Sequence, residues 1–267
     1  MTVTVGSGPF GHRPSGEFNV EMPQRGLEYL DAFPRRVRAI RAGEVVVDSL
    51  GTKLLYEQHR LPVWVFPQED VRLDVLGSAA RLYEDGLAEG LVHVEWGAVD
   101  QWLEEDEEVI VHPRDPYHRL ELRHTSRRVK VSLEGEVLAE TMRAIALFEA
   151  SLPPRWYFPL EDVRAELAPN SEIRTGCAYK GYADYYDVRL GGRVEPFLAW
   201  HYEEPLSGME RIRGLVCFFN ERVDVGLDGV LQERPQSQWS GTDWAKSEWA
   251  RHGPHAPETA QTTAEVD

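Results

Sequence analysis

Cysteine is scarce in this chain: two residues in 267, with no Cys-x-x-Cys pair and no Cys/His set at finger spacing. That is too little for a disulfide framework and the wrong arrangement for a structural zinc site, so Cys177 and Cys217 read as free thiols. No run of about 18 apolar residues occurs, which removes a membrane-spanning helix. The opening MTVTVGSGPFGHRPSGEF has no apolar segment behind a basic start and does not read as a signal peptide, so a cytoplasmic location is expected. Positive charge is also short: 29 Lys and Arg stand against 45 Asp and Glu, for a net charge of -16. Phosphate-backbone binding relies on clustered cations, so no nucleic-acid partner is expected. Gly-x-Gly-x-x-Gly after a strand, a Walker loop, a Gly-x-Ser-x-Gly elbow and His-Glu-x-x-His are all missing. The motifs therefore name no cofactor, which stays unknown, and no metal site.

What is present is a repeat. Residues 35–73, from RRVRAIRAGEVVVDS to LPVWVFPQEDVRL, align without a gap on residues 127–165, from RRVKVSLEGEVLAET to PPRWYFPLEDVRA, at an offset of 92, with 16 of 39 positions identical. The identities include Gly43/Gly135, Glu57/Glu149, Trp64/Trp156 and Phe66/Phe158. Further on, Gly90-Leu91-Val92 with Val99-Asp100 matches Gly214-Leu215-Val216 with Val223-Asp224 at an offset of 124, so the second copy holds 32 extra residues. They fall between about Glu166 and Gly214. The reading is two tandem β-rich modules, each a small sheet or half-open barrel with short helical turns. Residues 1–27 form an N-terminal arm, 28–124 a shortened first repeat, 125–232 the second repeat, and 233–267 a largely flexible tail.

The local pattern is mostly strand. Val37 to Val47 and Val129 to Ala139 are β-rich runs broken at Ala42-Gly43 and Glu134-Gly135, as hairpins are. Trp64-Val65-Phe66 and Trp156-Tyr157-Phe158 are aromatic strands ended by proline. Helical turns are expected at Glu69–Leu73, at Glu161–Leu167 and near Val99–Glu107. Trp239, Trp244 and Trp249 punctuate a polar tail, and indole area seeks burial, so they either dock on the parent domain or bind a protein partner.

Chemistry concentrates in the extra material. Cys177 follows Thr175-Gly176 and precedes Tyr179-Lys180-Gly181. A thiol is a nucleophile as its thiolate, and a neighbouring ammonium such as Lys180 favours that form. The flanking glycines let backbone N–H groups approach an anion. The same residues also fit a structural role, with Cys177 a small buried side chain. Trp200, His201 and Tyr202 lie farther on, and strand alternation sends Trp200 and Tyr202 one way and His201 the other. The aromatic pair, with Tyr185, is the expected pocket lining. In the first copy, the acidic run Glu104-Glu105-Asp106-Glu107-Glu108 reads as a solvated face or a protein-binding patch. It is followed by His112-Pro113-Arg114-Asp115-Pro116-Tyr117-His118-Arg119. His112, Arg114 and His118 are candidate ligand contacts, and His112, Asp115 and His118 are metal-ligand types whose i, i+3, i+6 spacing across two prolines is not a standard metal one.

These strings resemble the bacterial "domain of unknown function 427" family in a tandem form. The resemblance rests on Asp100-Gln101-Trp102-Leu103 with the acidic run and HPRDPYHR, on the paired P-x-Trp-x-Phe-Pro-x-Glu-Asp-Val-Arg strands, and on Cys177-Ala178-Tyr179-Lys180-Gly181 with Ala199-Trp200-His201-Tyr202. It covers residues from about 34 to 230. Family members show Cys-Pro-Tyr-Lys-Gly and Trp-Ser-Tyr, so Ala178 and His201 are departures that bear on loop rigidity and the pocket rim. The resemblance implies a compact β-rich fold with no assigned activity, and one label attached to the family suggests a nucleotidyltransferase. The reading carried forward is a small-molecule enzyme or ligand-binding protein. Its pocket is expected in the second repeat, with Cys177 and Lys180 as candidate catalytic groups and Tyr179, Gly181, Tyr185, Trp200 and Tyr202 as lining. A non-catalytic protein-interaction module is the alternative.

Overall fold

The computed structural model describes residues 4, 8–11, 14, 16–21, 26–150 and 152–246. Most of the expected arm, and the tail beyond Lys246 with Trp249, lie outside the described residues. Among the described residues the chain is mainly β, with four antiparallel sheets and one short α-helix, and none of the sheets closes into a barrel. It divides into two compact units, one ending at His118 and the next starting at Arg119.

The first unit contains β1 (Glu28–Ala32), β2 (Val37–Arg41), β3 (Glu44–Ser49), β4 (Lys53–Glu57), β5 (Val63–Pro67), β6 (Ala80–Leu82), β7 (Leu91–Val94), β8 (Gln101–Glu104) and β9 (Glu107–Val109), with α1 (Leu73–Leu76) before β6. The strands form two sheets, ordered β1-β4-β5-β7-β6 and β3-β2-β8-β9. Alternation explains the packing. On β5, Trp64 and Phe66 point into the core between the sheets, with Val37, Ala39, Leu54, Tyr56 and Val92, whereas Val63 and Val65 serve a small cluster on the outer face with Leu55 and Ala88. A central strand covered on both faces is apolar throughout, which is why VWVF shows no polar alternation.

The second unit contains β10 (Leu120–His124), β11 (Val129–Leu133), β12 (Glu136–Thr141), β13 (Ile145–Glu149), β14 (Arg155–Phe158), β15 (Glu166–Cys177), β16 (Gly181–Leu190), β17 (Arg193–His201), β18 (Val216–Phe218), β19 (Asp224–Leu227) and β20 (Val230–Leu231). Its sheets are ordered β10-β13-β14-β18-β17-β16-β15 and β12-β11-β19-β20. The strand order of the first unit recurs, and β15 and β16 extend the larger sheet beyond β17. Small features recur as well. Ser49 Oγ donates to Asp70 Oδ2 at 2.6 Å and Thr141 Oγ1 to Asp162 Oδ2 at 2.6 Å. Ala42-Gly43 and Glu134-Gly135 carry both hairpin turns with positive φ at both residues, the geometry that matches strand twist.

Two expectations change. Leu120–His124 belongs with the second unit, because it is β10 and pairs along β13 from Leu120↔Glu149 to His124↔Ile145. Val99–Glu107 is the β8–β9 hairpin, and its helical turn is confined to Trp96–Ala98 just before it. The acidic run caps this hairpin: Glu104 pairs with Arg35, Glu105 accepts from Arg36 N at 3.0 Å, and Asp106 pairs with Arg38 at 2.6 Å. Cross-strand cations outweighed the local helix signal. Pro169 sits in β15 without harm because β15 is an edge strand.

Candidate functional site

The two faces of the seven-stranded sheet have different characters. Trp156 and Phe158 of β14 enter the core between the sheets, with Val131, Leu198 and Val225. Tyr157, between them, joins a second cluster on the outer face with Tyr185, Trp200, Tyr202, Cys217, Phe219 and Trp244. The tail covers part of this face. Trp244 sits 5.5 Å from both Tyr185 and Phe219, and Trp239 lies 6.5 Å from Phe219.

Next to these aromatics is the turn picked out in the sequence. β15 and β16 form a hairpin in which Cys177 pairs with Gly181, and residues 178–180 make the turn. Gly181 has φ of +101°, and a Cβ there would meet Glu204 O at 3.1 Å, so only glycine fits without strain. The chain then holds the turn from outside: Leu206 N donates to Lys180 O at 3.0 Å. Lys180 is buried and its ammonium donates to the Glu149 carboxylate at the end of β13. Burial works against the lysine's charge, but Cys177, Glu149 and Tyr157 around the ammonium outweigh it and raise its pKa above the ordinary lysine value. Cys177 is half-buried, whereas Cys217 is fully buried and its thiol is pushed up to about 12 by that burial.

Phenols complete the surroundings. Tyr185 and Thr175 share a hydrogen bond of 2.7 Å, and Tyr157, Tyr185 and Tyr202 all have raised pKa values, chiefly through burial. They stay protonated. Of the residues singled out in the sequence, Lys180, Gly181, Tyr185, Trp200 and Tyr202 are therefore buried here, and Cys177 and Tyr179 are half-buried. His201 points to the opposite face, where it stacks on Tyr186 at 4.8 Å. His112, Arg114 and His118 lie in the first unit. There Asp115 is buried and accepts from Tyr56 Oη and Tyr117 N, each at 2.8 Å, and burial beside His118 drives the His112 pKa down to about 4.

Sequence reading missed three charged residues. Glu149 was visible only as a repeat identity with Glu57. Arg155 and Glu221 were not singled out at all, although they form a buried bidentate ion pair with contacts of 2.7 and 2.8 Å. Burial opposes the charge of Glu221, but Arg155 and Ser237 Oγ, 2.6 Å away, overcome it and lower its pKa. The Arg155 guanidinium lies over Trp200 and Trp239, each 5.5 Å from the ring centre. The tail is therefore tied to the sheet by the Ser237 hydrogen bond to Glu221 and by Trp239 under the Arg155 guanidinium, as well as by indole burial.

Among the described residues, no group of three or more His, Cys, Asp or Glu side chains gathers at metal-binding distance, and no helix is long and apolar enough to cross a membrane. The fold defines a mainly β protein of two like units, the second bearing a buried Lys–Glu pair beside a half-buried thiol. A family profile described as a domain of unknown function, DUF427, matches residues 29–83 and 121–229, more than half the chain, and the chain belongs to that family. The comparison with curated proteins finds no match.

Proposed function

We propose that the second unit is a small-molecule enzyme or ligand-binding domain whose site is the Cys177–Gly181 turn. The observation that carries this reading is the buried Lys180–Glu149 pair beside Cys177. Burying an ion pair is an inefficient way to stabilise a fold, since apolar residues of similar volume do as well or better, so its presence at a turn favours a role in chemistry or recognition. The raised pKa of Lys180 narrows that role. An amine held protonated does not attack a carbonyl or take up a proton; it supplies fixed positive charge. Cys177 is then the candidate nucleophile, and the Tyr202 and Tyr185 phenols, kept neutral by burial, are hydrogen-bond donors for a bound polar group.

The test is thiol reactivity joined to ligand retention. Iodoacetamide at neutral pH is expected to label Cys177 far faster than Cys217 when peptides are followed by mass spectrometry. Native mass spectra of the full chain are expected to show a bound small molecule that is lost in Cys177→Ser. Lys180 is built into the fold, so Cys177→Ser carries the test. Slow, equal labelling of the two thiols, with identical native spectra for wild type and variant, would overturn the reading.

A further inference from the structure

A second site emerges from a mismatch between the two copies, on the sheet face opposite Cys177. In the first unit, three tryptophans fill one end of the core. Trp64 lies 5.9 Å from Trp96 and 5.5 Å from Trp102, and the last two stack at 5.3 Å with 21° between their planes. Trp102 Nε1 donates to Trp96 O at 3.1 Å. In the second unit, Trp156 takes the place of Trp64, but its two companions are gone. Trp102 faces Ala39 across β2 and β8; Val131, aligned with Ala39, faces Val225 across β11 and β19. Valine therefore stands where the first indole stood. Trp96 sits in a turn closed by Ala98 N to Glu95 O at 3.0 Å, and the matching turn, closed by Arg222 N to Phe219 O at 2.9 Å, puts Asn220 there.

Exchanging two indoles for valine and asparagine leaves a groove of about 290 Å³ over Trp156, walled by Pro154, Val223 and Val225. Small-molecule pockets run from roughly 300 to 1,000 Å³, so this one matches a fused-ring fragment. Its polar groups also select. Asn220 Nδ2 donates to Pro154 O at 2.7 Å, which leaves Oδ1 as an acceptor for a ring N–H. At the mouth, Arg234 is occupied by Asp224 at 2.7 Å, while the exposed Glu233 carboxylate has no ion-pair partner among the described residues. The mouth therefore favours a cation.

We propose that this groove binds a planar aromatic amine of about indole size, whose ring restores over Trp156 the stack that the first copy builds from its own side chains. The site does not depend on Cys177. Isothermal titration and saturation-transfer NMR on the full chain, with tryptamine as the probe and indole-3-acetate as its charge-reversed counterpart, test it. Tryptamine is expected to bind one to one, and indole-3-acetate at least about tenfold more weakly. Val225→Trp or Asn220→Trp, which refill the groove as in the first copy, are expected to weaken tryptamine by about tenfold or more with no loss in melting temperature. Glu233→Gln, a rim change that leaves the core intact, is expected to weaken tryptamine and leave neutral indole unchanged. Binding that survives in Cys177→Ser separates this site from the Cys177 turn. No saturable tryptamine binding up to about 1 mM overturns the proposal, as does undiminished binding in a folded Val225→Trp or, if that variant does not fold, equal binding in Glu233→Gln.

Discussion

Glu57 and Glu149 end equivalent strands, β4 and β13, in surroundings of opposite kinds. Glu57 is half-buried, 3.4 Å from the exposed Arg60 three residues on, whereas Glu149 is buried against Lys180 from the β15–β16 hairpin. The neighbouring outer-face positions diverge in the same sense. Val63 becomes Arg155, Val65 becomes Tyr157, His93 becomes Cys217 and Gly97 becomes Glu221. On the central strands the inner face holds to type, with Trp64 and Phe66 matched by Trp156 and Phe158, while at one end of the core Trp102 and Trp96 give way to Val225 and Asn220. One sandwich thus carries a plain outer face in one copy and a charged, aromatic one in the other. The central strands of the core specify the fold, and the outer face and one end of the core are where the copies were free to differ.

The comparison breaks most sharply at Arg155. Arg155→Val alone leaves Glu221 buried without its cation and is expected to cost about 3–5 kcal/mol, read from the urea midpoint. Arg155→Val with Glu221→Gly installs the first copy's pair and is expected to recover much of that loss. A double variant no more stable than the single would show that the pair is not the reason. Next, Lys180→Met removes the ammonium opposite Glu149 and is expected to cost about 3 kcal/mol, while Glu57→Gln in the first unit leaves the melting temperature unchanged.

A pH effect belongs to the first unit. His112 has its folded pKa pushed below the ordinary 6.5, to about 4. Between those values the unfolded chain binds more protons, so stability falls as pH drops through the window. The expected loss from pH 6.5 to about 5 is near 2 kcal/mol, and His112→Asn should flatten that slope in thermal melts. The smallest effect tests sameness. Ser49→Ala and Thr141→Ala remove the same hydrogen bond in each copy, and each is expected to cost about 1 kcal/mol. A large gap between the two would mean that the copies differ in their inner frame as well.

Much of this was legible in the sequence. The ungapped repeat, the Ala42-Gly43 and Glu134-Gly135 hairpins and the aromatic β5 and β14 all follow from local pattern. So did the opposed directions of His201 and its aromatic neighbours, because period-two alternation is a local property. The ion pairs were not legible. Lys180 meets Glu149 across 31 residues and Arg155 meets Glu221 across 66, distances bridged only by strand order and register. Val99–Glu107 misled for a related reason: its acids are satisfied by Arg35, Arg36 and Arg38, which pairing with β2 delivers.

By itself, then, the sequence determined two β-rich copies, the surplus of 32 residues in the second, and the turn at Cys177 to Gly181, since each is written in neighbouring residues or in a direct match between segments. Tertiary structure alone decided that the surplus becomes two added strands beside β17, that Lys180 is buried against Glu149, and that Trp156 lacks the two indoles that crowd Trp64. Those outcomes depend on which distant side chains a shared sheet face brings within a few ångströms, and no local pattern encodes that.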